Sequence, residues 1–408
     1  MSEAQPPPNP HRPSSGPTVS FGFNLGKIAD HGEDSDPIVR DGPDLALLAV
    51  FDGMGGAGGT VYETEDGPRS GAYLASRIAR DVVEQRMLEL LVPDWNLNGD
   101  AAAEDLRRSV QQALARRLAE LKAPPSRLRS KLLRGLPTTM TVLALQRASR
   151  TGSTWLCHIF WAGDSRGYVF QPDGAHQLTV DDLRDANDAM ANLRSDSLVS
   201  NAVSADTEFH INYRRVQLQA PFFLLCATDG CFGYLPTPMH FERLVLSALT
   251  EARTADAWSR AIQSEVTAVT GDDAAMSVVS VGAGMKELHR LYAPRFAELE
   301  DQFTNPIDDL ARSTQRAEDE LTAQRQRQLD QTQALWARYQ PGYERHLHTV
   351  DAAQDEDESD DLELTSANRD DRAQARPAGD HTNGRPTDAA DTADAVETAV
   401  EEPTEVTS

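Results

Sequence analysis

Between residues 19 and 281 the apolar positions fall into short runs rich in β-branched and aromatic side chains, bounded by Gly, Pro, Asn and Asp. Eight of these runs read as strands, at 19–28, 45–51, 138–145, 154–162, 166–170, 209–218, 222–227 and 275–281. Helical patterns separate them at 68–91, 100–122, 239–250 and 255–269. The strands arrive in clusters and the helices in pairs, without the strand-by-helix alternation of a doubly wound parallel sheet. The pattern therefore predicts an α+β sandwich. From 284 the chain turns helical and charged, with Leu288, Leu291, Phe296, Leu299, Phe303, Leu310, Leu321, Leu329 and Leu335 irregularly spaced. Pro294, Pro306 and Pro341 are expected to interrupt this stretch, which carries no sustained heptad and reads as an accessory helical segment.

Composition divides the chain further. Residues 1–17 hold six prolines and almost nothing apolar, while residues 351–408 hold 18 acidic residues against four arginines and no aromatic ring. Neither end buries enough apolar surface to offset its ordering entropy, so both are expected to be disordered. The expected organisation is a Pro-rich lead-in at 1–17, a folded domain at 18–283, the helical segment at 284–350 and an acidic tail at 351–408. The whole chain has 64 acidic and 39 basic residues, a net charge of −25, and no local basic patch. That balance disfavours nucleic acid and anionic membranes as partners. No apolar stretch spans a bilayer and the N-terminus lacks a signal-peptide core, so a cytoplasmic location is expected. Cys157, Cys226 and Cys231 form no even framework and no paired C-x-x-C spacing, and read as reduced, buried thiols.

The chemistry lies in carboxylates at the ends of the strand patterns. Asp52 follows LLAVF and precedes the glycine-rich run 53–59; Asp229-Gly230 follows FFLLCAT; Asp164 sits in Ala162-Gly163-Asp164-Ser165-Arg166; Glu33-Asp34 and Asp272-Asp273 complete the set. So many uncompensated carboxylates coexist in one place only around cations, and oxygen donors suit hard divalent ions such as Mg²⁺ or Mn²⁺. Each motif also has a plainer reading. An Asp-Gly pair is most often a turn, and the glycine run resembles a phosphate cradle except that it lacks the G-x-G-x-x-G register and a P-loop lysine. Residues alone place metal-dependent hydrolysis only somewhat ahead of a turn-rich domain with no catalysis.

The order of the motifs is more specific. Glu33-Asp34-Ser35, Val50-Phe51-Asp52-Gly53-Met54-Gly55-Gly56, Thr138-Thr139, Gly163-Asp164-Ser165-Arg166, Leu178-Thr179-Val180-Asp181, Thr228-Asp229-Gly230 and Asp272-Asp273-Ala274-Ala275 resemble, in sequence, the signature blocks of metal-dependent type 2C Ser/Thr protein phosphatases, bacterial type, over about 19–282. The resemblance implies a four-layer αββα sandwich of two antiparallel sheets flanked by helix pairs, with a metal cleft at one end. It implies two Mn²⁺ or Mg²⁺ ions: Asp52 bridges them, Gly53 gives its carbonyl and Glu33 its carboxylate to the second, and Asp34 holds a water in the outer shell. Asp229 and Asp272 ligate the first ion, and Asp164 with Asp229 holds a weaker third. Asp52 and Asp229 then position the water that attacks phosphoserine or phosphothreonine in protein substrates.

Two positions depart from the family. Where it usually has an Arg that grips phosphate, this chain has Ala29, leaving Lys27, His31 or Arg40 as substitutes; Met54 stands where animal members carry a His. Ala29 supports the alternative of a phosphatase fold turned into a binding or regulatory module, and hydrolysis of small phosphoesters is a third reading. Residues 182–207 match the family's flap and read as a polar surface loop. The helices after 284 are expected to offer a site for a protein partner.

Overall fold

The computed structural model describes residues 16–28, 31–91, 97–121, 134–148, 152–185, 188–194 and 197–347. Ala29, most of the Pro-rich lead-in and the acidic tail lie outside the described residues. The chain divides into two compact units, Met1–Leu321 and Thr322–Ser408.

In the first unit the elements are β1 (Pro17–Leu25), β2 (Ile38–Asp41), β3 (Leu45–Val50), α1 (Gly55–Gly58), β4 (Val61–Thr64), β5 (Gly67–Ser70), α2 (Gly71–Leu91), α3 (Gly99–Glu120), β6 (Met140–Arg147), β7 (Thr154–Ala162), β8 (Arg166–Gln171) and β9 (Gly174–Gln177). There follow α4 (Ala189–Asn192), β10 (Asn212–Gln219), β11 (Phe222–Ala227), α5 (Pro238–Glu251), α6 (Ala255–Val269), β12 (Ala274–Val281) and α7 (Met285–Leu299). Two antiparallel five-stranded sheets form, ordered β1-β12-β11-β8-β9 and β10-β7-β6-β3-β2, with β4 and β5 as a separate hairpin.

Period-two alternation explains how the layers stack. Ala46, Leu48 and Val50 of β3 meet Ala275, Val279 and Val281 of β12 in the core between the sheets. Their alternate neighbours point outward: Leu47 and Ala49 join Ala75, Val83, Leu106 and Val110 of α2 and α3, while Met276 and Val278 join Leu244, Val245, Trp258 and Ile262 of α5 and α6. Strands covered on both faces must be apolar at nearly every position, which is why β3, β6, β11 and β12 read as continuous apolar runs. The expected α+β sandwich is thus present as helices, sheet, sheet, helices. The helix expected from 68 starts at Gly71 because Gly67–Ser70 pair with Val61–Thr64 instead. Asn98, Thr237 and Thr254 cap α3, α5 and α6 by accepting backbone amides.

The segment after 284 departs from expectation. The three prolines do not interrupt it: α7 contains Pro294, continues through a π-helical turn at Glu300–Thr304, and leads into α8 (Asn305–Tyr343), which contains Pro306 and Pro341. Pro306 follows directly on the π-helical turn, where the hydrogen-bond register changes, and Pro341 stands in the last turn, so it removes a bond only near an end. Pro294 is held by packing around it. Leu288, Tyr292 and Leu299 are buried, Tyr292 Oη donates to the Phe170 carbonyl at 2.7 Å, and Arg295 makes a two-pronged pair with Glu242 of α5. Helix α7 therefore belongs to the same core as β11, α5 and α6. On α8 no residue is buried. In the second unit, Trp336, Tyr339 and Tyr343 form a ring cluster along that helix. No described helix is long and apolar enough to cross a membrane.

Because Tyr292 is 2% exposed and its ring meets Phe223 edge-on at 5.1 Å, Tyr292→Ala is expected to destabilise the protein by about 3–5 kcal/mol. Tyr292→Phe, which loses only the hydroxyl, is expected to cost about 1 kcal/mol. Urea unfolding of the two variants measures both, and equal, negligible losses would show that α7 is not part of the core.

Candidate active site

Antiparallel register carries the chain's acidic motifs to one end of the sandwich. β3 stops at Val50, two residues before Asp52. β7 stops at Ala162, opposite Met140, and the turn into β8 bears Asp164. β11 stops at Ala227, and Asp229 opens a single 3-10 turn to Cys231. β12 begins at Ala274 opposite Leu25, so Asp272 and Asp273 lie beside the loop that follows β1 and bears Glu33 and Asp34. Glu33, Asp34, Asp52, Gly53, Asp164, Asp229 and Asp272 all line one cavity of about 650 Å³, together with Asp273.

Local contacts explain why these residues stand where they do. Asp52 is fixed by its backbone: its amide donates to Thr139 Oγ1 at 3.3 Å, and its carbonyl accepts from the Thr139 amide at 2.8 Å and from Thr138 Oγ1 at 2.7 Å. Glu33 is held from the end of β5 and from α2, because Ser70 Oγ donates to its Oε1 and Ser76 Oγ to its carbonyl, both at 2.5 Å. Asp34 Oδ2 accepts from Thr228 Oγ1 at 2.8 Å, one residue before Asp229. Asp273 closes the loop: its carboxylate accepts the backbone amides of Lys27 and Glu33. The glycine run is accounted for by close approach. A Cβ on Gly53 would lie 2.6 Å from the Glu33 carbonyl oxygen and one on Gly55 2.0 Å from Glu33 Oε2, so side chains at 53 and 55 would displace Glu33. Gly163 turns at φ +113°, and a Cβ there would meet Thr139 at 2.7 Å.

The electrostatics follow from this crowding. Asp34 is 1% exposed, and burial pushes its carboxyl well up, against the Thr228 hydrogen bond, with Asp229 and Asp273 adding to the rise. Burial likewise pushes Asp52 well up, reinforced by Asp34, Asp229 and Asp164. Asp164 is pushed up to about 7, by burial first and then by Asp229 and Asp181. Burial also raises Asp229 and Glu33. Among the described residues no three His, Cys, Asp or Glu side chains close on one point as ligands. The donor set nevertheless fits a hard divalent cation: its side chains offer only oxygen, they repel one another, and a bound cation reverses the repulsion.

The expected substitutes for a phosphate grip lie elsewhere. Arg40 pairs with Glu84 of α2, and His31 lines a separate cavity with Arg69 and Tyr73. Neither they nor Lys27 line the carboxylate cavity, whose two cationic lining residues among the described ones are Arg134 and Arg184. Sequence reasoning gave no role to either, nor to Ser70 and Ser76; it named Asp273 only through the Asp272-Asp273 doublet before β12, and Thr228 only as part of the block with Asp229. Residues 182–207 are less exposed than their polarity suggests: Asn201, Ala202, Val203 and Ser204 are buried, with Val203 bridging Thr138. All three cysteines are buried free thiols.

A family model described as "Protein phosphatase 2C" matches residues 33–268. A search of curated proteins gives no match. Among solved structures, the Mycobacterium tuberculosis serine/threonine phosphatase PstP/Ppp superposes with a TM-score of 0.45 at 17% identity, covering 65% of this chain and 99% of that one. Serine/threonine phosphatase Stp1 from Staphylococcus aureus gives 0.47 at 15%, covering 65% and 96%, and a C. elegans sex determining protein gives 0.48 at 17%, covering 67% of each chain.

Two outcomes follow from the raised carboxyls. Asp52→Asn replaces a carboxyl whose charged form burial and its acidic neighbours disfavour, so it is expected to stabilise the metal-free protein by about 1 kcal/mol or more and to abolish the Mn²⁺-induced rise in melting temperature expected of the parent. Mn²⁺ binding to the parent is expected to release protons, more at pH 6 than at pH 8, because carboxyls held above their ordinary range are protonated on the acid side of neutrality. Calorimetry in buffers of different ionisation enthalpy measures this; release independent of pH would contradict it.

Proposed function

We propose that this chain, which belongs to the protein phosphatase 2C family, hydrolyses phosphoserine and phosphothreonine esters of proteins with Mn²⁺ or Mg²⁺ held in the carboxylate cavity. The observation that supports this most directly is the arrival of the acidic motifs, from distant parts of the chain, on one cavity wall. In this reading Asp52, Glu33, the Gly53 carbonyl, Asp229 and Asp272 would hold two ions between them, Asp34 would act from the outer shell, and Asp164 with Asp229 would hold a third ion. Bound divalent ions supply Lewis-acid polarisation of the phosphoryl oxygens and a lowered pKa for water. The protein's part is positional. The Thr138 and Thr139 contacts fix the backbone at Asp52, Thr228 orients Asp34, and the amide bonds of Asp273 hold the Glu33 loop against β12. Asp52 and Asp229 then orient the water for in-line attack on phosphorus. No cysteine or histidine stands among the described lining residues, which argues against a cysteinyl or histidyl phosphoenzyme and for direct attack by water.

A second reading, a phosphatase fold serving as a binding module, is favoured by Ala29 at the position of the family's usual phosphate-gripping arginine. Phosphate release from a mixed phosphoserine and phosphothreonine peptide pool with Mn²⁺ separates the two. The enzymatic reading expects metal-dependent turnover that Asp52→Asn and Asp229→Asn each reduce at least ~100-fold. A parent that binds Mn²⁺ but releases no phosphate would replace it with the binding module.

A further inference from the structure

The cavity has two chemically distinct walls. One is the carboxylate set; the other comprises Arg134, just before β6, and Arg184 with Ser197, Leu198 and Val199. The two arginines are coupled through one strip of backbone. Arg134 Nη2 donates to the Val199 carbonyl at 3.5 Å, the Arg184 amide donates to the Leu198 carbonyl at 3.0 Å, and Leu183 forms a bridge with Val199. The Arg134 amide donates to the Ala57 carbonyl at 3.1 Å, which ties the same wall to the glycine turn that follows Asp52 and Gly53. Among the described residues neither guanidinium is in an ion pair, although acidic side chains line the same cavity.

We propose that Arg134 and Arg184 form the grip for the phosphate of the substrate, holding its non-reacting oxygens from the wall opposite the carboxylates. The proposal rests on the phosphatase reading above and names the residues that recognise its substrate. A phosphate monoester carries about two negative charges and three acceptor oxygens, and a guanidinium offers a planar fork that matches a pair of them. A carboxylate wall loaded with cations takes one side of such an anion. Two forks from the other side fix its orientation, and their absence from the carboxylate wall keeps them from competing with the ions for the same ligands. Arg184 is exposed and Arg134 half-buried, so Arg134 sets the position and Arg184 closes over the ester from the rim.

The test compares the parent with R134A, R184A, R134K and R184K. Steady-state kinetics on a phosphoserine peptide give KM and kcat. Calorimetric titration of the Mn²⁺-loaded protein with inorganic phosphate gives an affinity independent of turnover, and the Mn²⁺-induced rise in melting temperature reports whether folding and the ion site are intact. Each alanine variant is expected to weaken phosphate binding and raise KM about tenfold, with the lysine variants recovering part of the loss. The Mn²⁺ response should stay that of the parent. Phosphate affinity unchanged within twofold in both alanine variants would overturn the proposal, whether or not the parent turns over. A parent that releases no phosphate from peptides, yet loses phosphate affinity in R134A and R184A, would sustain the grip and refute only the catalytic reading.

Discussion

Asp34, Asp52, Asp164 and Asp229 are each driven toward the neutral form by burial, and Asp34, Asp164 and Asp229 each add to the rise of at least one other. Water would relieve this repulsion if the residues were on mobile loops. Here the backbone withholds that relief. Asp52 is locked by Thr138 and Thr139, Asp34 by Thr228, and Glu33 by Ser70, Ser76 and Asp273. Two continuous sheets, with side chains packed between and outside them, supply the rigidity needed to keep like charges together. The stability of the sandwich is therefore partly consumed at one end, where a functional arrangement opposes what folding alone would favour.

The layer architecture was legible because strands buried on both faces and helices buried on one leave different periodicities. The membership of the site was legible for a related reason: an Asp or Glu at the end of an apolar run has nowhere to go but the sheet edge, and antiparallel register places alternate ends together. What the sequence did not reveal depends on contacts between distant segments. Ser70 and Ser76 look like ordinary residues of a helical pattern until Glu33 is placed against them, and Arg134 and Arg184 lie in short stretches outside the strand and helix patterns. The glycine run was ambiguous between phosphate cradle and turn. Its meaning lies in the Glu33 atoms that occupy the space a Cβ would take at residues 53 and 55.

The region after 284 shows why helix content is not domain membership. Irregular leucine spacing suggested an appendage, yet Leu288, Tyr292 and Leu299 fall on the face of α7 that meets Phe170, Phe223 and α5. Further along, His240 Nε2 and Arg243 of α5 both meet the carboxylate of Asp308, at 3.0 and 2.7 Å. These contacts hold Asp308's carboxyl below its ordinary range against the opposing effect of burial. No residue of α8 is buried, and an ion pair beyond this point, Arg312 with Asp309, is between exposed residues of the helix itself.

The segment that follows Asp181 combines a fixed root with an exposed rim. Arg166 and Asp181, 2% and 5% exposed, make a two-pronged ion pair at 3.0 and 2.6 Å. Asp181 also accepts from Asn192 of α4 at 2.9 Å, and Arg166 donates to the Ala189 carbonyl. A buried pair of this kind adds little net stability over an apolar substitute, but breaking one partner is costly, so it fixes geometry more than it stabilises. Asp182 extends the anchorage: its carboxylate accepts from the Gly163 amide, Asn201 and Asn212. Gly163 precedes Asp164 directly. The root of the segment is thus wired to the backbone beside a carboxylate of the cavity, while Arg184, three residues past Asp181, stands exposed at the rim. The described root of the segment is therefore fixed by the same contacts that fix the backbone beside Asp164, so the positions of the two are set together.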